Sequence, residues 1–346
     1  MHPPAAFTRN TRTARAAAPR TRHAGLLALS AAVAAYAMWA HHKAEQAQRD
    51  HAPSGRFMHI DGVRLHYLEM GSGPPVAMLH GNGVHMGDLL ASGVPQQLAQ
   101  SCRVVLFDRP GFGHSLRPRD RLWTPHAQAA VLHRALLALG MDRPVVLGHS
   151  LGALVALALA LDYPANLAGL VLVGGYYYPQ VHPLTLAFGP VATPILGDAM
   201  RYTVSSLSAR LALKRMVRGA FAPQDPPPDY LAQLAQELLV RPSQLRADAE
   251  DLVYMLPAAR AMAPRYAGLQ LPVAVMAGAR DRVVDTDEHA RRLAAELPAS
   301  RLHVAPGIGH MLHHAAPHAV VEMLEAVMAD GRQPRPLGTP GAVAAR

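Results

Sequence analysis

From residue 56 onward the chain alternates between short apolar runs and longer amphipathic stretches. The runs Val76–Leu79, Arg103–Phe107, Pro144–Leu147, Leu170–Val173 and Pro272–Ala277 lack polar alternation, the pattern of strands buried on both faces, and Arg301–Val304 reads as a sixth strand. Arg56–Ile60 and Val63–Glu69 read as a strand pair about the turn Asp61-Gly62. Between the strands, Asp88–Gln100, Thr124–Leu139, Leu151–Leu161, Asp287–Leu297 and Pro317–Asp330 read as helices, with Thr124 as N-cap and Pro125 at the first helical position. This alternation predicts an α/β fold with a doubly wound, mostly parallel sheet and helices on both faces. It breaks between Gly174 and about Ala267, where the text is helix-like and rich in Pro and Met. That interval, about 175–267, is expected to form a lid over the C-terminal edge of the sheet. No internal repeat accompanies the pattern.

The N-terminus follows a different pattern. Ala24–Ala40 runs seventeen residues without a charge. At about 1.5 Å per residue it spans roughly 25 Å, slightly less than a hydrocarbon core. Arg22, Lys43 and Trp39 are placed to make up the difference at the interfaces. The formal charge of the chain is +9. Five arginines (9, 12, 15, 20 and 22) precede the apolar run, and no acid occurs before Glu45. The bias predicts a single-pass signal-anchor over 24–40 with the N-terminus in the cytoplasm and the remainder periplasmic or extracellular. A secreted form is the rival expectation, because Ala35-Tyr36-Ala37 fits a small-x-small cleavage site. Residues 1–23 are expected to be a basic disordered tail, 41–55 a His/Gln-rich linker, 56–330 the catalytic domain and 331–346 a disordered tail. The basic tail lacks aromatic interleaving and no nucleic-acid module follows it, so no nucleic-acid partner is expected. Composition leaves the oligomeric state open. With Cys102 alone, neither an internal disulfide nor a Cys-rich metal site can form.

Candidate chemistry gathers at strand ends. Gly148-His149-Ser150-Leu151-Gly152 fits G-x-S-x-G, with a strand before it and an Ala/Leu-rich helix after it. That context exposes Ser150 on a sharp turn at a helix N-terminus, where backbone N–H groups favour developing negative charge. Its base is assigned to His310, just past the last strand. The orienting carboxylate is assigned to Asp281, in the loop after Val273–Ala277; Asp285 and Asp287 are rivals that an N-cap role explains. The Gly-rich turn His80-Gly81-Asn82-Gly83 is expected to aim the N–H of Asn82, with Gly83 as rival, at an oxyanion shared with the N–H of Leu151. No carboxylate or cysteine accompanies His310, His313, His314 and His318 at ligand spacing, so no metal is expected, and no cofactor.

These motifs together resemble the α/β-hydrolase superfamily, specifically its lid-bearing abhydrolase-1 serine hydrolases: HGNG (80–83), DRPGFGHS (108–115), GHSLG (148–152), GARDRVV (278–284) and GIGH (307–310). The resemblance covers roughly Arg56–Asp330, and RPSQLRADAED (241–251) is similar to lid helices of bacterial members. It implies Ser150 as nucleophile, His310 as base and then acid, Asp281 as its orienter, and Asn82 and Leu151 as oxyanion donors. It implies only a structural role for DRPGFGHS. Haloalkane dehalogenases and epoxide hydrolases of the superfamily carry Asp at the elbow, so Ser150 speaks for acyl transfer instead. The expected activity is hydrolysis of a carboxylic ester. Transfer to another acceptor, C–C bond hydrolysis and a non-catalytic binding role are the alternatives. Tyr176, Tyr177, Tyr178, Phe188, Met200, Phe221, Tyr254 and Met255 suggest an apolar pocket for a small acyl substrate, with Gly83, His149, Tyr176 and Tyr177 as candidate substrate contacts. Arg210, Lys214 and Arg218 form a basic stripe on an amphipathic helix, read first as a solvated face.

Overall fold

The computed structural model describes residues 20–181 and 183–332. Eight strands form one sheet: β1 (Arg56–Ile60), β2 (Val63–Met70), β3 (Pro75–Leu79), β4 (Arg103–Phe107), β5 (Val145–His149), β6 (Gly169–Val173), β7 (Val273–Gly278) and β8 (Ser300–Ala305). Their order is β1-β2-β4-β3-β5-β6-β7-β8. The β1–β2 and β2–β4 pairs are antiparallel, and every pair from β4–β3 to β7–β8 is parallel. The inner parallel strands β3 to β7 bury both faces, as their apolar runs require, while the edge strand β8 stays partly exposed. Side chains divide by alternation: Ala77, Leu79, Val105, Phe107 and Val146 pack on one face, and Val76, Met78, Val104, Leu106 and Leu147 on the other. The first face is covered by helices Pro125–Ala138 and Leu151–Asp162, the second by Pro317–Arg332 and the short helices Gly87–Ala91 and Val94–Leu98. Thr124 caps its helix by accepting from the N–H of Ala127.

Three boundaries differ from the sequence reading. Asp88–Gln100 is two short helices, because Gly93 takes φ +80° and Pro95 follows. The helix expected from Asp287 opens with a wide π turn before Arg292–Glu296. The last helix reaches Arg332, past the expected tail boundary at 331. Residues 1–19 and 333–346, most of the two expected disordered tails, lie outside the described residues.

The N-terminal helix is the largest difference. It runs from Arg20 to Asp50, straight through ten of the fifteen residues read as a linker. Leu26, Leu27, Leu29, Val33, Met38 and Trp39 are exposed. Ala40, Ala44 and Ala47 are buried, one helical turn apart, and Ala47 packs with Ala235 and Leu238. The stretch Ala24–Asp50 is long and apolar enough to cross a membrane by length and composition.

Between β6 and β7 the chain inserts the helices Pro183–Ala192, Leu196–Tyr202, Val204–Phe221, Tyr230–Gln233, Gln236–Leu239 and Pro242–Met262. The long helix Pro242–Met262 ties this insertion to the sheet. Its Asp251 is fully buried and accepts from Arg109 Nη1 at 2.5 Å and Arg117 Nη2 at 2.7 Å. Val204–Phe221 is amphipathic as read, with Leu213 and Val217 packed toward Phe221. Arg210 leaves the expected solvated stripe: it pairs with Glu237 and lies 5.0 Å over the Trp39 ring, at the junction with the N-terminal helix.

Candidate active site

Ser150 stands between β5 and the helix Leu151–Asp162 at φ +53°, ψ −121°. A non-glycine residue there is strained, and the surroundings enforce it. The Ser150 N–H donates to Val173 O at 2.8 Å. Its flanking glycines are required by contact. A Cβ at Gly152 would lie 2.6 Å from Leu79 O, and one at Gly148 would lie 2.6 Å from Ala153 Cα.

Three predicted residues come together in one relay. His310 Nδ1 lies 2.8 Å from Asp281 Oδ2, and His310 Nε2 lies 3.1 Å from Ser150 Oγ. Asp281 is buried, and its Oδ1 accepts from the N–H groups of Val283 and Val284 at 2.8 and 3.0 Å. Those bonds fix the carboxylate with its second oxygen toward the imidazole. With Nδ1–H donating to Asp281, the lone pair of Nε2 faces the serine hydroxyl. The rival Asp285 instead accepts from the N–H groups of Asp287 and Glu288, both at 2.9 Å, as its N-cap reading required.

The turn 80–83 packs against this relay: a Cβ at Gly81 would sit 3.2 Å from Ser150 Cβ. Arg109 holds the turn by its carbonyls, donating from Nε to His80 O and from Nη2 to Gly81 O, both at 2.9 Å. The buried His80 ring bonds Gly81 O through Nδ1 at 2.7 Å and accepts from the N–H of Arg109 at 3.0 Å. Burial, aided by Arg109, lowers its pKa to about 3, so it stays neutral. The Gly83 N–H, the rival oxyanion donor, is engaged: it donates to Asp248 Oδ1 at 2.9 Å. The Asn82 side chain donates to Asp248 O at 3.2 Å. Leu151 is buried and opens its helix, so its N–H has no carbonyl one turn back.

The sequence reading missed Asp248. It sits on the inserted helix, 165 residues from Gly83, and burial pushes its pKa up to about 7. A polar residue on the inner face of a predicted helix was the available signal. It also missed Asp88, which gathers a buried network. Asp88 accepts from Tyr230 Oη at 2.7 Å and bonds His314 Nε2 at 2.9 Å and His313 Nε2 at 3.0 Å. Burial alone would raise its pKa; His313 and His314 outweigh this and hold it well below the ordinary carboxylate value. The expectation that no carboxylate joins the histidine cluster is therefore wrong: donor atoms of Asp88, His149 and His313 lie within 4.8 Å of one another. The hydrogen bonds just named already engage both oxygens of Asp88.

His149 belongs to that network and not to a substrate surface. It is buried, with its ring centroid 4.2 Å from His313 and 5.0 Å from His310, and its Nε2 lies 3.4 Å from His310 O. Tyr177 is also corrected, being fully buried in the core with Tyr178, Met255 and Tyr266. Phe221 is buried within the insertion. Tyr176 reaches a cavity of about 380 Å³ beside Asp281, which Gln180, Val181 and Val283 also line.

A parallel sheet with a strained serine at a strand-to-helix turn, a histidine past the last strand and helices inserted after β6 defines an α/β hydrolase. The chain belongs to that family: residues 74–317 match the first abhydrolase type, described by its α/β-hydrolase fold. A 2-hydroxy-6-oxo-6-phenylhexa-2,4-dienoate hydrolase from Burkholderia cepacia is 29% identical over 72% of this chain and 86% of its own length. A candidate carbamate hydrolase, RutD, from Escherichia coli O44:H18 is 42% identical over 85 residues, so the match spans 25% of this chain and 32% of that relative. Among solved structures, an esterase from Thermogutta terrifontis superposes with a TM-score of 0.67 at 23% identity, covering 81% of this chain and all of that one.

Proposed function

We propose that the chain is a serine hydrolase that cleaves a carboxylic ester through an acyl-enzyme. The observation that carries this is the relay Asp281–His310–Ser150, with hydrogen bonds of 2.8 and 3.1 Å converging on a strained elbow serine. Ser150 Oγ attacks the acyl carbon while His310 Nε2 takes its proton, and Asp281 stabilises the resulting imidazolium. The N–H groups of Asn82 and Leu151 receive the oxyanion. His310 returns the proton to the departing alcohol, and the same steps run with water release the acid. The held turn 80–83 supports this reading, because a preorganised donor costs no reorganisation during reaction. Tyr176 lines the substrate side, and the inserted helices serve as the lid.

C–C bond hydrolysis is the second reading, favoured by the match to the Burkholderia cepacia dienoate hydrolase over most of the chain. The helix from Ala24 anchors the protein in a membrane, with the basic N-terminus inside and the hydrolase domain outside. A panel of p-nitrophenyl esters of increasing acyl length, run beside a 2-hydroxy-6-oxo-dienoate, tests the assignment. Ester turnover that disappears in Ser150→Ala supports it; turnover of the dienoate alone replaces it with the second reading.

A further inference from the structure

A second cavity, of about 240 Å³, lies where the N-terminal helix, β2, the loop after β4 and the start of helix Pro242–Met262 meet. Arg64, His114, Arg117, Arg241 and Arg246 line it, and no carboxylate does. Two of these arginines are committed to acids: Arg117 to Asp251 and Glu250, and Arg246 to Glu250. Arg241 is different. It is 4% exposed, donates to Gly113 O through one terminal nitrogen, and has no partner at Nε. It forms no ion pair among the described residues. Its acidic neighbours are engaged elsewhere. Asp108 bonds His66 and accepts from the N–H groups of Met86 and His114, and Asp248 accepts from Gly83. Arg64 is exposed, lies 4.7 Å over the Phe57 ring and likewise has no ion pair among the described residues.

Asp108 and Asp248 act on Arg241 only through space, so this buried guanidinium has no carboxylate bonded to it and keeps an unpartnered Nε, which an anion in the cavity would help to satisfy. The backbone adds to the attraction. Arg241 is the N-cap of a helix of 21 residues, and Pro242 supplies no N–H. The N–H groups of Ser243 and Gln244 therefore lead the positive end of the helix dipole, and Ser243 lines the cavity. A planar guanidinium fork, with the helix amide and hydroxyl of Ser243, suits an anion with several oxygens in different directions. We propose that this cavity binds a phosphate group, carried by free phosphate or by a phospholipid headgroup. Gln48, near the end of the N-terminal helix, lies on its wall, so the site adjoins the segment we read as the anchor. The site stands apart from the catalytic relay, and the inference does not depend on the ester reading.

Calorimetric titration of the full chain in neutral detergent tests it, with inorganic phosphate and glycerol 3-phosphate as separate probes and chloride holding ionic strength constant. Saturable binding near one equivalent is expected, weakened about tenfold or more in Arg241→Gln. Tighter binding of glycerol 3-phosphate identifies the headgroup as the source; equal or weaker binding identifies free phosphate. If Arg241→Gln fails to fold by circular dichroism, the exposed Arg64→Gln takes its place, with weaker binding again expected. The proposal is overturned if neither probe saturates, or if the folded variant binds as well as the parent.

Discussion

Ser150 holds a backbone conformation that its Cβ disfavours, and the residues around it keep it there. On the proposed mechanism Ser150→Ala falls to background in ester hydrolysis. Asp281→Asn loses activity by about ten-thousandfold or less, since the imidazole remains but its tautomer is no longer fixed. Asp285→Asn, whose carboxylate accepts from the N–H groups of Asp287 and Glu288 instead of facing His310, should retain most of the rate, and comparing kcat/KM of the two variants checks the assignment. Asp248 carries a pH signature. Its folded pKa, near 7, lies above the ordinary 3.8, so between about pH 4 and 7 the folded chain holds a proton that the unfolded chain releases. This group's contribution to stability therefore falls as pH rises through that window. Urea unfolding at pH 5 and pH 8 should show the parent losing stability relative to Asp248→Asn, which keeps the acceptor for Gly83 but cannot ionise. Equal pH slopes would remove Asp248 from the account. Ser150, Asp281 and His310 were legible in sequence because each sits in a local pattern at a strand end. Asp88 and Asp248 were not, since their partners lie 142 and 165 residues away and only folding brings them near.

At the scale of elements, the loop that carries His310 is held from beneath. Asp88, on the helix Gly87–Ala91, binds His313 and His314 on the segment just after His310, and Tyr230 on the insertion. Asp88→Ala should cost about 3 kcal/mol or more, because buried partners lose their acceptor. Asp88→Asn should recover part of that. Thermal melts of both, beside kcat, separate a loosened His310 loop from simple unfolding: a Tm loss with unchanged kcat would show that the network supports the fold alone. The inner strands β3 to β7 were legible because burial on both faces leaves apolar runs. The break at Gly93 was not, because one left-handed residue divides an otherwise helical pattern. Helix 41–50 was misread because its polar text dominates. The small residues Ala40, Ala44 and Ala47, spaced to share one face, were the signal of packing.

Across the whole molecule, the segment from Ala24 joins the insertion directly, so the proposed anchor and the proposed lid share an interface at Ala47, Ala235 and Leu238. A chain starting at Arg56 should fold and remain soluble, since the sheet begins there, but it should melt lower than the full chain because that interface is uncovered. Alkaline phosphatase fused after Asp330 should be active if the domain faces outward; an active cytoplasmic reporter at the same place would reverse the topology. The central claim, that Ser150 is an activated nucleophile, is tested most directly by active-site titration of the folded full chain with a fluorophosphonate. The account predicts labelling that approaches one equivalent, maps to Ser150 and abolishes ester turnover in proportion. Folded protein that takes up no label at Ser150, or that keeps full turnover once labelled, would contradict it.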